Sequence, residues 1–128
     1  MTAEPADPRA LLESAESLLR LSGPATAGLW PRASALIALE ALETGMRRLW
    51  QRRSLEFTGC SMRTQLICLR SYLEDGALAA RAGHAWSALT RASHHHAYEL
   101  APTAAELQSW LDVVRELSER SELSAPSG

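Results

Sequence analysis

The sequence predicts an all-α protein, an antiparallel bundle of four to five helices. Three observations carry that expectation. Apolar residues recur at three- and four-residue steps through most of the chain, the spacing of one helix face. Helix-start chemistry stands where those stripes begin, most clearly in Thr103-Ala-Ala-Glu106, a capping box preceded by Pro102. No stretch sustains the two-residue alternation of β-branched residues that a half-buried strand requires.

The first helix is expected over 8–21. Asp7 suits the N-cap, and Pro8 suits the first helical position, where its missing N–H is not needed. Leu11, Leu12, Ala15, Leu18 and Leu19 form its stripe, and Ser22-Gly-Pro24 ends it. The second helix is expected over 31–53, with Ala35, Leu39, Leu42, Met46, Leu49 and Trp50 on one face. Gly45 within it costs about 1 kcal/mol relative to alanine, so it marks a candidate close approach of another helix. The third, 61–73, turns Met62, Leu66, Leu69 and Leu73 inward. The fourth, 75–93, does the same with Leu78, Ala82, Ala85, Trp86 and Leu89. The fifth, 104–118, follows the capping box and buries Leu107, Trp110, Leu111, Val114 and Leu117. Trp50, Trp86 and Trp110 lie on these stripes and read as core; Trp30, off any stripe, reads as a staple between loop and second helix.

A chain of 128 residues that is 46% hydrophobic suits one domain with a real core, here 7–118, flanked by flexible tails at 1–6 and 119–128. No apolar run approaches the roughly 18 residues of a membrane span, so no membrane is expected. The N-terminal residues lack the pattern of a secretory signal. Cys60 and Cys68 stand eight apart without metal-ligand spacing and read as reduced thiols, which makes the cytoplasm the expected compartment. Lysine and asparagine are absent, the bias of a GC-rich coding sequence of the kind common in bacteria.

Net charge is −2, but the middle of the chain is basic and both ends are acidic: residues 20–91 hold ten Arg against five acids. Arg47, Arg48, Arg52 and Arg53 cluster at the end of the second helix. Cations are favoured there by the helix dipole, and a phosphate-contacting patch is the alternative. There is no phosphate-cradling Gly-rich loop, no nucleophile elbow and no convincing carboxylate pair, which argues against an NTPase, an esterase or a glycosidase. No cofactor is expected, nor a metal: His84 and His95 are eleven apart, but no HExxH or Cys/His pattern accompanies them. His84 alone reads as a partly exposed polar residue.

The segment Arg91-Ala-Ser-His-His-His-Ala-Tyr98 gathers three of the four histidines beside an arginine and a tyrosine. Histidine moves protons near neutral pH. Arginine offers a charged fork to phosphate oxygens. Arg91, His96 and Tyr98 together have the form Arg-x4-His-x-Tyr, which resembles the motif of HEPN domains. The long Ala/Leu helix ahead of it and the amphipathic helix behind it are also similar to that family, over roughly 11–117.

HEPN domains are small helical bundles, and many are metal-independent endoribonucleases, among them toxins of toxin–antitoxin pairs and effectors of phage defence. The resemblance therefore implies RNA as substrate, a homodimer whose two motifs face each other, an antitoxin or regulatory protein as partner, and Arg91, His96 and Tyr98 as catalytic residues. One position departs: the family often carries a polar residue after the arginine, and here it is Ala92. Geometry adds an alternative. On an unbroken helix of about 100° per residue, His95 falls about 40° from Arg91, Tyr98 falls close to Arg91, and His96 falls about 140° away. His96 thus requires an interruption near Ser93 or assembly across a dimer; without one, His95 is the candidate. A second reading of the chain is a non-catalytic helical interaction domain that dimerises or binds a nucleotide or partner protein, with Tyr98 and Leu100 plugging the bundle and Arg91 paired to Glu99.

Overall fold

The computed structural model describes residues 7–20, 30–53, 59–94 and 102–123. These form five helices: α1 (Pro8–Arg20), α2 (Trp30–Arg52), α3 (Met62–Leu73), α4 (Gly76–Ser93) and α5 (Ala104–Leu123). No strand occurs among the described residues. The fold is an all-α bundle, and each start lies within one residue of its expected place.

Local chemistry explains those starts. The Asp7 side chain accepts from the Arg9 amide at 3.2 Å, and its carbonyl accepts from Leu11 at 3.1 Å, which opens α1. Ser61 caps α3 by accepting from the Thr64 amide at 3.2 Å. Asp75 caps α4, accepting from the Leu78 amide at 3.0 Å, while its other carboxylate oxygen takes Arg120 at 2.9 Å. The Leu78 hydrogen bond, aided by Arg120, holds the Asp75 carboxyl below its ordinary pKa. The capping box closes reciprocally: the Thr103 hydroxyl accepts from the Glu106 amide and the Glu106 carboxylate from the Thr103 amide, both at 3.1 Å. Between α3 and α4 the chain reverses in two residues, Glu74 and Asp75, with Glu74 in the left-handed region at φ 55°.

The central helix is α2, which packs against α1, α4 and α5. The Ser34 hydroxyl donates to the Ala15 carbonyl and Arg48 pairs with Asp7, so α1 and α2 run antiparallel. Arg32 meets Ser93, and Glu43 faces Trp86, so α2 and α4 are antiparallel as well. Ion pairs Arg81–Glu116 and Asp75–Arg120 set α4 against α5 in the same sense, and Arg115–Glu16 ties α5 to α1. It follows that α2 and α5 run parallel at the centre. Their contact is tight: a methyl group placed on Gly45 would meet the Ser118 Oγ at 3.4 Å. The glycine does mark a close helix approach.

The core is built mainly of Leu12, Leu42, Met46, Leu49, Leu89, Leu107, Leu111 and Leu117, all fully buried, with alanines of α2 and α4 between them. Each such leucine is worth about 1.5–3 kcal/mol relative to exposure. Because three helices surround α2, its buried face is wider than one stripe and includes Ser34, Ala38, Ala41 and Thr44. Trp50 is core, and its ring meets Tyr72 edge-on at 5.6 Å. Trp86 and Trp110 are half-buried against the core rather than within it. Trp30 begins α2; its side chain lies outside the description.

One boundary differs from expectation. The fifth helix continues to Leu123 instead of stopping near 118, so 119–123, placed above in a tail, are helical. The ion pairs of Glu116 and Arg120 to α4 hold this turn in place. No helix among the described residues is long and apolar enough to cross a membrane.

Candidate functional site at the end of α4

The last turn of α4 positions the candidate segment. Ala85, Ala88, Leu89 and Ser93 face the core, and this sets Arg91 outward and exposed. Ala92, directly after it, packs against the core.

The helix ends at Ser93. His94 leaves helical geometry at φ −101°, ψ 49°, while its amide still donates to the Thr90 carbonyl at 3.2 Å. The end is well satisfied. The Thr90 hydroxyl donates to the Trp86 carbonyl at 2.7 Å, and the buried Ser93 hydroxyl to the Leu89 carbonyl at 2.8 Å. Arg32, from the first turn of α2, donates to the Ser93 carbonyl at 3.2 Å, a cation on a helix C-terminus. Hydroxyls that bend back on the preceding turn favour termination there. Neither hydroxyl is free for chemistry.

Of the residues singled out in the sequence, the structure therefore places Arg91 and the exposed His94 at the end of α4. His95, His96 and Tyr98 lie outside the described residues, as do Glu99 and Leu100. α4 ends at Ser93, and His94 already stands outside helical geometry. His84 is exposed on α4, seven residues before Arg91 and so on the same side of the helix.

The arginine cluster of α2 divides. Arg48 pairs with Asp7 at 3.7 Å, and Arg53 buries an Nε that has no partner among the described residues. Arg52 lies in the last turn, and that agrees with the dipole reading. A different basic surface was not singled out from the sequence. Arg63 and Arg70 stand exposed on α3, and α3 and α4 carry no acidic residue at all. The signal was the i, i+4, i+7 spacing of Arg63, Ile67 and Arg70, a row beside the buried Leu69 and Leu73.

Among the described residues no group of three His, Cys, Asp or Glu side chains could hold a metal ion. Cys60 and Cys68 are half-buried free thiols.

Among the described residues, Glu43 of α2 is the one titratable group whose pKa is raised. Burial pushes it up first and the neighbouring Glu40 adds to this, while Arg47 and the indole of Trp86 pull it down. The Trp86 Nε1 faces this carboxylate without closing a hydrogen bond to it. Glu43 lies against the middle of α4, at Trp86, rather than beside Arg91. Set against family models, curated proteins and solved structures, the chain matches none.

Proposed function

We propose that the chain is a HEPN-like, metal-independent endoribonuclease, a toxin or phage-defence effector acting in the cytoplasm. What supports this reading is the end of α4: an exposed Arg91 is followed within two residues by the helix terminus, one of the two arrangements compatible with the Arg-x4-His-x-Tyr register. In this reading two chains pair so that their motifs share a cleft, and an antitoxin or regulatory protein restrains them. The RNA 2′-hydroxyl attacks the adjacent phosphate. A histidine, His96 by the family register and His95 otherwise, takes or gives the proton. Arg91 stabilises charge on the phosphate, and Tyr98 orients the histidine or the phosphate. The P–O5′ bond breaks, leaving a 2′,3′-cyclic phosphate and a 5′-hydroxyl, and DNA resists because it lacks the nucleophile.

The second reading, a non-catalytic domain that binds a nucleotide or partner protein, draws on Ala92. That position faces the core, so the chain offers no polar side chain there to join Arg91.

Incubation of antitoxin-free protein with total RNA in EDTA separates the two. The enzyme reading expects cleavage, with Arg91→Ala and His96→Ala each losing about 10²–10⁴ in rate at unchanged helicity and melting temperature. Tyr98→Phe does less harm because the ring stays. His95→Ala is mild in the family register; a severe loss there reassigns the histidine. Wild-type protein that neither binds nor cuts RNA leaves the interaction domain standing.

A further inference from the structure

The hairpin of α3 and α4 leaves an open groove on its outer face, about 420 Å³ in volume. Its walls are chemically distinct. The α4 wall is small and smooth, with Gly76, Ala79, Ala80 and Gly83 leading to the half-buried Trp86. A methyl group added at Gly83 would meet nothing within 4 Å. The α3 wall carries Arg63, Ile67 and Arg70 along one line. Ile67 is 70% exposed, the more exposed of the two large hydrophobics that the described residues leave in solvent. Among the described residues, nothing covers this isoleucine.

Charge selects the occupant. Arg63 and Arg70 are two helical turns apart, roughly 10.5 Å, and neither has a carboxylate partner among the described residues. Among the described residues the acids nearest to Arg70 in sequence are Glu74 and Asp75, in the turn at one end, and Asp75 is taken by Arg120. A second copy docked face to face would set arginine against arginine around the two isoleucines, so self-association is disfavoured on this face. Nucleic acid fits the charge but not the floor. Base-binding grooves present open aromatic rings for stacking, whereas this groove offers aliphatic groups, a small-residue wall and a Trp86 whose indole nitrogen is buried. Small residues on one helix and an exposed aliphatic on its neighbour suit the side chains of a third helix laid between them.

We propose that the α3–α4 groove is the docking site for an acidic amphipathic helix of a partner protein. The helix seats an apolar residue beside Ile67 and directs two carboxylates, seven residues apart, to Arg63 and Arg70. The inference is independent of the ribonuclease reading and holds for a catalytic or a non-catalytic chain.

The test uses the full chain and a fluorescent, side-chain-stapled helical peptide with a leucine stripe and glutamates seven residues apart. A matched peptide carries lysine in place of both glutamates. Fluorescence anisotropy is expected to show saturable binding of the Glu peptide, weaker binding of the Lys peptide and weakening by salt. Ile67→Asp should lower affinity by about tenfold or more. The double variant Arg63→Glu, Arg70→Glu should lose the Glu peptide and gain the Lys peptide. All three positions are exposed, and circular dichroism should show the wild-type helix content. The charge swap distinguishes loss of docking from loss of fold. Equal binding of both peptides, indifference to Ile67→Asp, a groove-dependent dimer, or capture of poly-uridine RNA by the same three side chains in place of the peptide would overturn the proposal.

Discussion

Glu43 sits where its surroundings disfavour a charge. Burial raises its pKa, Glu40 raises it further, and Arg47 and Trp86 offset only part of this. A carboxyl whose folded pKa is raised contributes its stability below the unfolded value and loses it as pH climbs through the folded one. The charged form of Glu43 is therefore a burden on the fold. Glu43→Gln should stabilise the protein at pH 7, by less than about 1 kcal/mol once solvent screening is allowed for. Urea unfolding at pH 7 and at pH 4 checks it: the gain over wild type should shrink at the lower pH, and a loss at pH 7 would contradict the account. This burden was not legible in the sequence, because it comes first from burial, and burial depends on how the other helices pack around α2. Gly45 was legible, since a glycine inside a strong helix pattern demands a reason. Arg91 was legible as a residue type, and its exposure followed once its neighbours Leu89 and Ser93 turned inward. Arg63, Ile67 and Arg70 went unremarked because two arginines on a helix read as an ordinary solvated face until α4 is seen to leave a groove beside them.

Among elements, starts were easier to read than ends. A start is written locally: Asp7 and the Thr103–Glu106 pair satisfy backbone amides within three residues, and Pro8 at the first helical position has no N–H to satisfy. The end of α5 is not local. Its last turns are held by partners on α4, Arg81 and Asp75, which lie 35 and 45 residues away in sequence. Stripe counting cannot see such a partner. The end of α4 falls between these cases: Thr90 and Ser93 bend back on their own helix, while Arg32 arrives from α2. The caps can be tested one at a time. Thr103→Ala removes an acceptor for the Glu106 amide and strands half of a reciprocal pair, so it should cost about 1 kcal/mol of stability. A double-mutant cycle with Glu106→Ala should show the two losses to be strongly non-additive. Additive losses would mean that the box does not act as a unit.

The antiparallel bundle was legible as a whole because short links between amphipathic helices leave few other arrangements. The parallel pairing of α2 with α5 was not, since it results from stacking two antiparallel partners against one centre. Assembly belongs to the same scale. A composite catalytic cleft needs two chains, and Arg91 stands exposed at one end of the bundle, away from the ion pairs that bind α4 to α5. Light scattering should report a two-fold pair with twice the 14.0 kDa mass of the chain. A monomer at high protein concentration would remove the composite site from the proposed function.

The ties between α5 and the first three-helix neighbourhood have a consequence for how the chain is made. As synthesis proceeds, α1 and α2 can close on each other soon after both have left the ribosome, and α3 and α4 can follow as a hairpin. Their shared apolar face stays open throughout, because its cover is Leu107, Leu111, Val114 and Leu117, each fully buried and all on the last of the five helices to emerge. Arg115 then reaches back across about a hundred positions to Glu16. A nascent chain stalled before Thr103 would thus expose a continuous greasy seam, a natural target for a chaperone and, without one, a seed for aggregation. Ribosome-bound chains of increasing length should acquire protease resistance in one late step, when α5 clears the exit tunnel.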